Sequence, residues 1–84
     1  MLRFYNNLPT IDLHGETKDI SKILVKDFIY DNYKLKNEYI VLIHGIGKGI
    51  VKKGIYEELK INKYVKEYKQ YNFNPGVTIV KLDI

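Results

Sequence analysis

Two histidines and one aspartate stand where proton transfer could be arranged. Asp12 and His14 lie in Ile11-Asp12-Leu13-His14-Gly15, and His44 opens the run His44-Gly45-Ile46-Gly47-Lys48-Gly49. A free imidazole titrates near pH ~6.5, so it can take or give a proton close to neutrality. A carboxylate beside it can hold it in one tautomer. The glycine run offers a second kind of chemistry. Glycines let backbone N–H groups converge, and a helix that starts directly after them leaves unpaired donors at its first turn, which suits a phosphate. Lys52 and Lys53 fall in that turn. There they oppose the helix dipole at a cost of about 0.3–1 kcal/mol each, which makes more sense if an anion sits at that end.

Cleaving a phosphodiester needs three things. A proton leaves the attacking oxygen, one reaches the leaving oxygen, and charge on the nonbridging oxygens is stabilised. In that scheme His14, oriented by Asp12, is the acid or base, and His44 is a second proton carrier. Gly45, Gly47 and Gly49, through backbone N–H groups, hold the phosphate together with Lys48, Lys52 and Lys53. With RNA, a 2′-hydroxyl could be the nucleophile, and no metal or other cofactor is required. A Mg²⁺ version would rest on Asp12, the one acidic residue placed at the site, plus substrate oxygens.

These residues need elements to bring them together. Ile11 and Leu13 alternate with Asp12 and His14, which predicts a short strand ending at His14. Gly15 permits a sharp exit. Thr17 suits a helix cap and Asp19 suits the first turn. Ile20, Ile23, Leu24 and Phe28 follow helical spacing, predicting an amphipathic helix to about Tyr33. After a polar connection, Tyr39–Ile43 is an apolar, β-branched strand. A second helix runs over about 51–60 on the stripe Val51, Ile55 and Leu59. Gly54 within it costs roughly 1 kcal/mol against alanine and points to close packing. A strand from about Val65, a turn at Asn74-Pro75-Gly76 and a strand Val77–Leu82 complete the order β-α-β-α-β-β. A strand, one crossover helix and a strand are normally parallel and right-handed. His14 and His44 then end neighbouring strands at the carboxyl edge, where open α/β sheets bind ligands.

Composition sets the limits. The chain has 84 residues, read as one domain over 9–84 with a lead-in over 1–8, in which packing is the expected role of Arg3, Phe4 and Tyr5. It has no cysteine, hence no disulfide framework and no thiolate metal site. No apolar run approaches the ~20 residues of a membrane span, and no signal peptide is evident. A cytoplasmic location without a membrane partner is the expectation. The net charge of +4 favours a polyanionic partner, though ten acidic residues are interspersed. Lys66, Lys69 and Lys81 read as solvated faces, and most of the eight tyrosines as packing.

The motifs carry a resemblance. Ile11-Asp12-Leu13-His14-Gly15 resembles the Leu-Asp-x-His-Gly signature of the Smr domain, the small MutS-related family. His44-Gly45-Ile46-Gly47 resembles its His/Thr-Gly-x-Gly signature, and Gly76-Val77-Thr78-Ile79-Val80-Lys81-Leu82 is similar to its closing strand. Ile46 stands where family members often carry a basic residue, Lys48 where they carry a small hydroxyl residue, and Lys52 where an arginine is frequent. The resemblance implies a two-layer α/β sandwich with a mixed four-stranded sheet, like the C-terminal domain of translation initiation factor three. It also implies a nucleic-acid partner, DNA or RNA, or a ribosome. Some Smr domains are nucleases. Others act as binding modules, alone or within larger relatives of mismatch-repair ATPases.

Taken singly, each residue has a plainer role. Asp12 could cap a loop, His14 could end a strand, the glycines could serve the turn, and the lysines could be solvated. Three functions fit the pattern: a DNA or RNA endonuclease, a noncatalytic nucleic-acid or ribosome-binding module, and a binder of a small phosphate compound. The last offers little enclosed pocket in so short a domain. The oligomeric state is not legible in the sequence.

Overall fold

The sheet is built so that two neighbouring parallel strands, the first at its edge, end at the candidate chemistry. In the computed structural model, which describes residues 7–84, the elements are β1 (Thr10–Asp12), α1 (Lys18–Lys34), β2 (Tyr39–Ile43), α2 (Ile50–Ile61), β3 (Val65–Gln70) and β4 (Val77–Leu82). Residues 1–6 of the lead-in, with Arg3, Phe4 and Tyr5, lie outside the described residues. The strand order is β1-β2-β4-β3. β1 runs parallel to β2, with Thr10 opposite Val41 and Asp12 opposite Ile43. β4 pairs antiparallel with β2 and with β3, so the sheet is mixed.

Strand alternation divides the sheet into two faces. Ile40, Leu42, Val80 and Leu82 point to one face and are fully buried, in a cluster with Leu13, Val25, Ile29, Ile55 and Leu59. Both helices cover this face. Burial of each such side chain is worth about 1.5–3 kcal/mol. The other face carries a smaller cluster of Val41, Tyr71 and Val77. A shortest extent of 17 Å leaves room for one sheet and one helical layer.

Thr17 caps α1 as expected, its Oγ1 accepting from the Ile20 N–H at 3.2 Å. The buried stripe of α1 differs from the expected one. Ile20 and Ile23 are exposed, and Leu24 and Phe28 only border the core. The inward positions are Ser21, Val25, Ile29 and Asn32. Asn32 is tolerated there because its amide donates to the Phe28 carbonyl and its oxygen accepts from Asn37. In α2 the expected stripe holds: Ile55 and Leu59 are buried and Val51 packs against the core. Gly54 lets the helices approach, since a Cβ there would lie 2.6 Å from Lys18 Cγ and 3.3 Å from the Lys18 carbonyl oxygen. The first strand is shorter than expected. It stops at Asp12, although the Leu13 N–H still reaches the Ile43 carbonyl at 2.7 Å, and His14 stands in the turn that follows.

Candidate functional site

Because β1 and β2 are parallel neighbours, their carboxyl ends open onto one cleft, of about 680 Å³. His14, Glu16 and Lys18 line one side; His44, Gly45, Ile46, Lys48, Gly49, Ile50 and Lys52 line the other. A Cβ built on Gly45 would lie 3.2 Å from His14 Cβ, so the two motifs touch.

Asp12 and His14 form a solvent-facing pair. Asp12 Oδ1 accepts from both the His14 backbone N–H at 3.1 Å and its Nδ1 at 2.6 Å. Their side chains are 51% and 71% exposed, respectively. A carboxylate can only accept, so Nδ1 carries a proton and Nε2 is left to meet a ligand. The hydrogen bond from His14, followed by the backbone bond, holds the Asp12 carboxyl below its usual range. The same contact, first as a hydrogen bond and then as charge, pushes His14 up.

His44 has a different setting. It is only 4% exposed and lies on the helix-covered side of the sheet. Its Nε2 is 2.8 Å from Thr78 Oγ1 and its Nδ1 is 3.0 Å from the Gly45 carbonyl oxygen. The Tyr56 hydroxyl meets the same Thr78 oxygen at 2.8 Å, and the two rings are edge to face at 6.3 Å. Burial pushes the His44 pKa down; the Gly45 carbonyl opposes this and the Lys52 ammonium adds to it.

The glycine loop keeps its donors by using positive φ. Gly45, Gly47 and Gly49 stand at 78°, 119° and 78°. Gly49 is the N-cap of α2 and has no side chain with which to cap it. The first intrahelical bond is Lys53 N–H to Gly49 carbonyl, so the three preceding N–H groups point out of the helix. The Gly45 N–H is not part of this set. It and the His44 N–H donate to the Gly76 carbonyl at 3.0 and 2.9 Å, so the free donors begin at Ile46.

The lysines divide. Lys48 and Lys52 line the cleft, whereas Lys53 is exposed outside it, in a groove with Tyr56, Glu57, Lys60 and Tyr68. The helix turns by roughly 100° per residue, so successive lysines cannot share one face. Lys52 donates to Gln70 Oε1 and sits 5.4 Å from the Tyr56 ring centroid. Gly47 and Asp12 do not line the cleft themselves. Sequence reasoning missed Glu16, the carboxylate that does line the cleft, and Lys18, whose ammonium is 3.4 Å from Glu57. It also gave no site role to Tyr56, or to Gly76 and Thr78, which it read only as part of the turn and the closing strand. Among the described residues no group of three or more His, Asp or Glu side chains could hold a metal. Among the described residues, Mg²⁺ at this edge would have the carboxylates of Asp12 and Glu16 to draw on.

A family model for the Smr domain matches residues 11–83. The chain belongs to the Smr domain family. Endonuclease MutS2 of Caldanaerobacter subterraneus subsp. tengcongensis is 35% identical over 77 residues, covering 88% of the chain and 10% of that protein. Endonuclease MutS2 of Clostridioides difficile is 35% identical over 75 residues, with 86% and 10% covered. The chain thus spans about a tenth of the length of these relatives. The crystal structure of the Smr domain of Thermus thermophilus MutS2 superposes with a TM-score of 0.88 at 26% identity, covering 92% of the chain and 100% of that domain. YdaL, a stand-alone small MutS-related protein from Escherichia coli, shares the fold at a TM-score of 0.81 and 20% identity, with 87% and 63% covered. The Smr domain here has no helix, among the described residues, long and apolar enough to cross a membrane.

Proposed function

We propose that this Smr domain binds nucleic acid at the cleft and cleaves a phosphodiester there. One observation carries the reading: an exposed, carboxylate-held histidine stands beside a glycine loop and an uncapped helix N-terminus, in one cleft. His14 Nε2 transfers the proton, and Asp12 fixes its orientation and favours its charged form. The N–H groups from Ile46 to Lys52 take the nonbridging oxygens, with Lys48 and Lys52 supplying charge. The relatives named endonuclease support the reaction class. The chemistry needs no cofactor when a 2′-hydroxyl attacks; with DNA, Mg²⁺ could assist. The expected setting is the cytoplasm.

The test is incubation of purified protein with labelled single-stranded RNA, duplex DNA and branched DNA, with and without EDTA. Cleavage of at least one substrate that is lost in His14→Ala supports the reading. Binding without cleavage of any of them overturns it and leaves a noncatalytic module, on nucleic acid or a ribosome, within a larger mismatch-repair-related protein. The loop donors and lysines favour that second reading because they need no proton transfer.

A further inference from the structure

The hydrogen bonds around His44 can be assigned a direction. The Gly45 carbonyl only accepts, so His44 Nδ1 carries the proton between them. In the neutral ring Nε2 is then a lone pair, and the Thr78 hydroxyl donates to it. The Tyr56 hydroxyl donates to the Thr78 oxygen in turn. Every proton in the chain has an acceptor, and the chain ends on the first carbonyl of the glycine loop.

We infer that His44 is a neutral positioning residue that clamps the glycine loop to β4 and α2 through Thr78 and Tyr56, and that it carries no substrate proton. The inference rests on the phosphate-site reading only for its effect on binding. His44 is almost closed to solvent, so a substrate oxygen has poor access to either ring nitrogen. Both nitrogens are already engaged. Protonation would make Nε2 a donor and force the chain to reverse, with the Thr78 hydroxyl donating to the Tyr56 oxygen instead. The groups facing His44 oppose that charge. Lys52 approaches from α2, and Tyr56 and Thr78 are neutral. From the β1 side His14 lines the same cleft, its charge offset by Asp12. The clamp also fixes Tyr56, over whose ring the Lys52 ammonium lies. Loop backbone and cleft lysine are thereby set in one frame.

NMR of the ¹⁵N-labelled imidazoles tests this without any nuclease assay. At pH 7 His44 is expected neutral with its proton on Nδ1. Thr78→Val removes the donor to Nε2 and the acceptor of Tyr56. It should alter the His44 ring signals, move the amides of Gly45 to Gly49, and weaken inorganic phosphate binding about 2- to 12-fold, the range of one neutral hydrogen bond. Thr78→Ser should restore all three. Tyr56→Phe removes the outer donor alone and should shift the same amides, which keeps the test open if Thr78→Val does not fold. A cationic His44 at pH 7, a proton on Nε2, or unmoved loop amides in folded Thr78→Val overturns the clamp. A chain that never cleaves nucleic acid but shows the Nδ1 proton refutes the proposed function and leaves the clamp standing.

Discussion

Replacing Gly76 by alanine should damage the site although residue 76 lies on neither motif. Gly76 has no positive φ, so alanine suits its backbone, and the difficulty is space. The added Cβ would lie 3.1 Å from both the carbonyl carbon and Cα of Gly45, and 3.2 Å from Asn74 Oδ1. Carbon atoms settle at about 3.5–4.0 Å, so a gap of roughly 0.4 Å must be found. Two of the neighbours are backbone atoms, which cannot swing aside. The third is held by the Gly76 N–H itself, at 2.9 Å. Movement of Gly76 also stretches its carbonyl away from the N–H groups of His44 and Gly45. Overpacking of this kind costs about 1–3 kcal/mol. Reduced freedom of the unfolded chain returns about 0.4–1 kcal/mol. The net loss is about 1–2 kcal/mol, or roughly 4–16 °C in Tm for a domain of this size. Thermal unfolding followed by circular dichroism reads the loss, and amide shifts at Gly45 and Ile46 locate it. An unchanged or raised Tm with those amides unmoved would show that Gly76 does not press on the loop.

Further outcomes follow from particular contacts. Ser21 Oγ is buried without a hydrogen-bond partner among the described residues; since an unsatisfied hydroxyl costs about 1–3 kcal/mol and alanine favours the helix, Ser21→Ala should raise the urea midpoint, and a clear fall would contradict this. Asp12 raises the His14 pKa, so the charged imidazole persists to higher pH than in a free histidine; Asp12→Asn should therefore move the His14 limb of the rate profile to lower pH, whether His14 acts as acid or base, and a limb that stays in place assigns it elsewhere. Lys52→Ala should lower oligonucleotide affinity and flatten its salt dependence by about one in slope, whereas Lys53→Ala, outside the cleft, should change both far less; equal effects would contradict the division of the two lysines.

Much of this was legible in the sequence. Tyr39–Ile43 and Val77–Leu82 are apolar runs bounded by turn residues, and they form strands over those same residues. The meeting of the two motifs followed from the parallel crossover, and the Asp12–His14 pairing from their spacing of two residues. The face of α1 did not. Ile20, Ile23, Leu24, Val25, Phe28 and Ile29 surround so much of the helix that periodicity could not select a side, and Ser21 and Asn32 read as solvent positions until the Asn32 partners are known. The surroundings of His44 were also hidden. Thr78 and Tyr56 look like an ordinary strand residue and an ordinary helix residue; only the pairing of Leu42 with Thr78 and the seating of α2 bring them to the ring. Gly45 looked like a phosphate donor because its spacing says nothing about the Gly76 carbonyl that already occupies its N–H.

The most direct test of the exposed Asp12–His14 pair as the proton-transfer group compares affinity and single-turnover cutting on the same samples of wild type and folded His14→Ala. At a pH where His14 is neutral, the change removes no charge from the phosphate cradle, so binding should change little. Cutting should fall by about 10²–10⁴-fold, the range for loss of a general acid or base. Cutting that persists at the wild-type rate in His14→Ala would contradict the account.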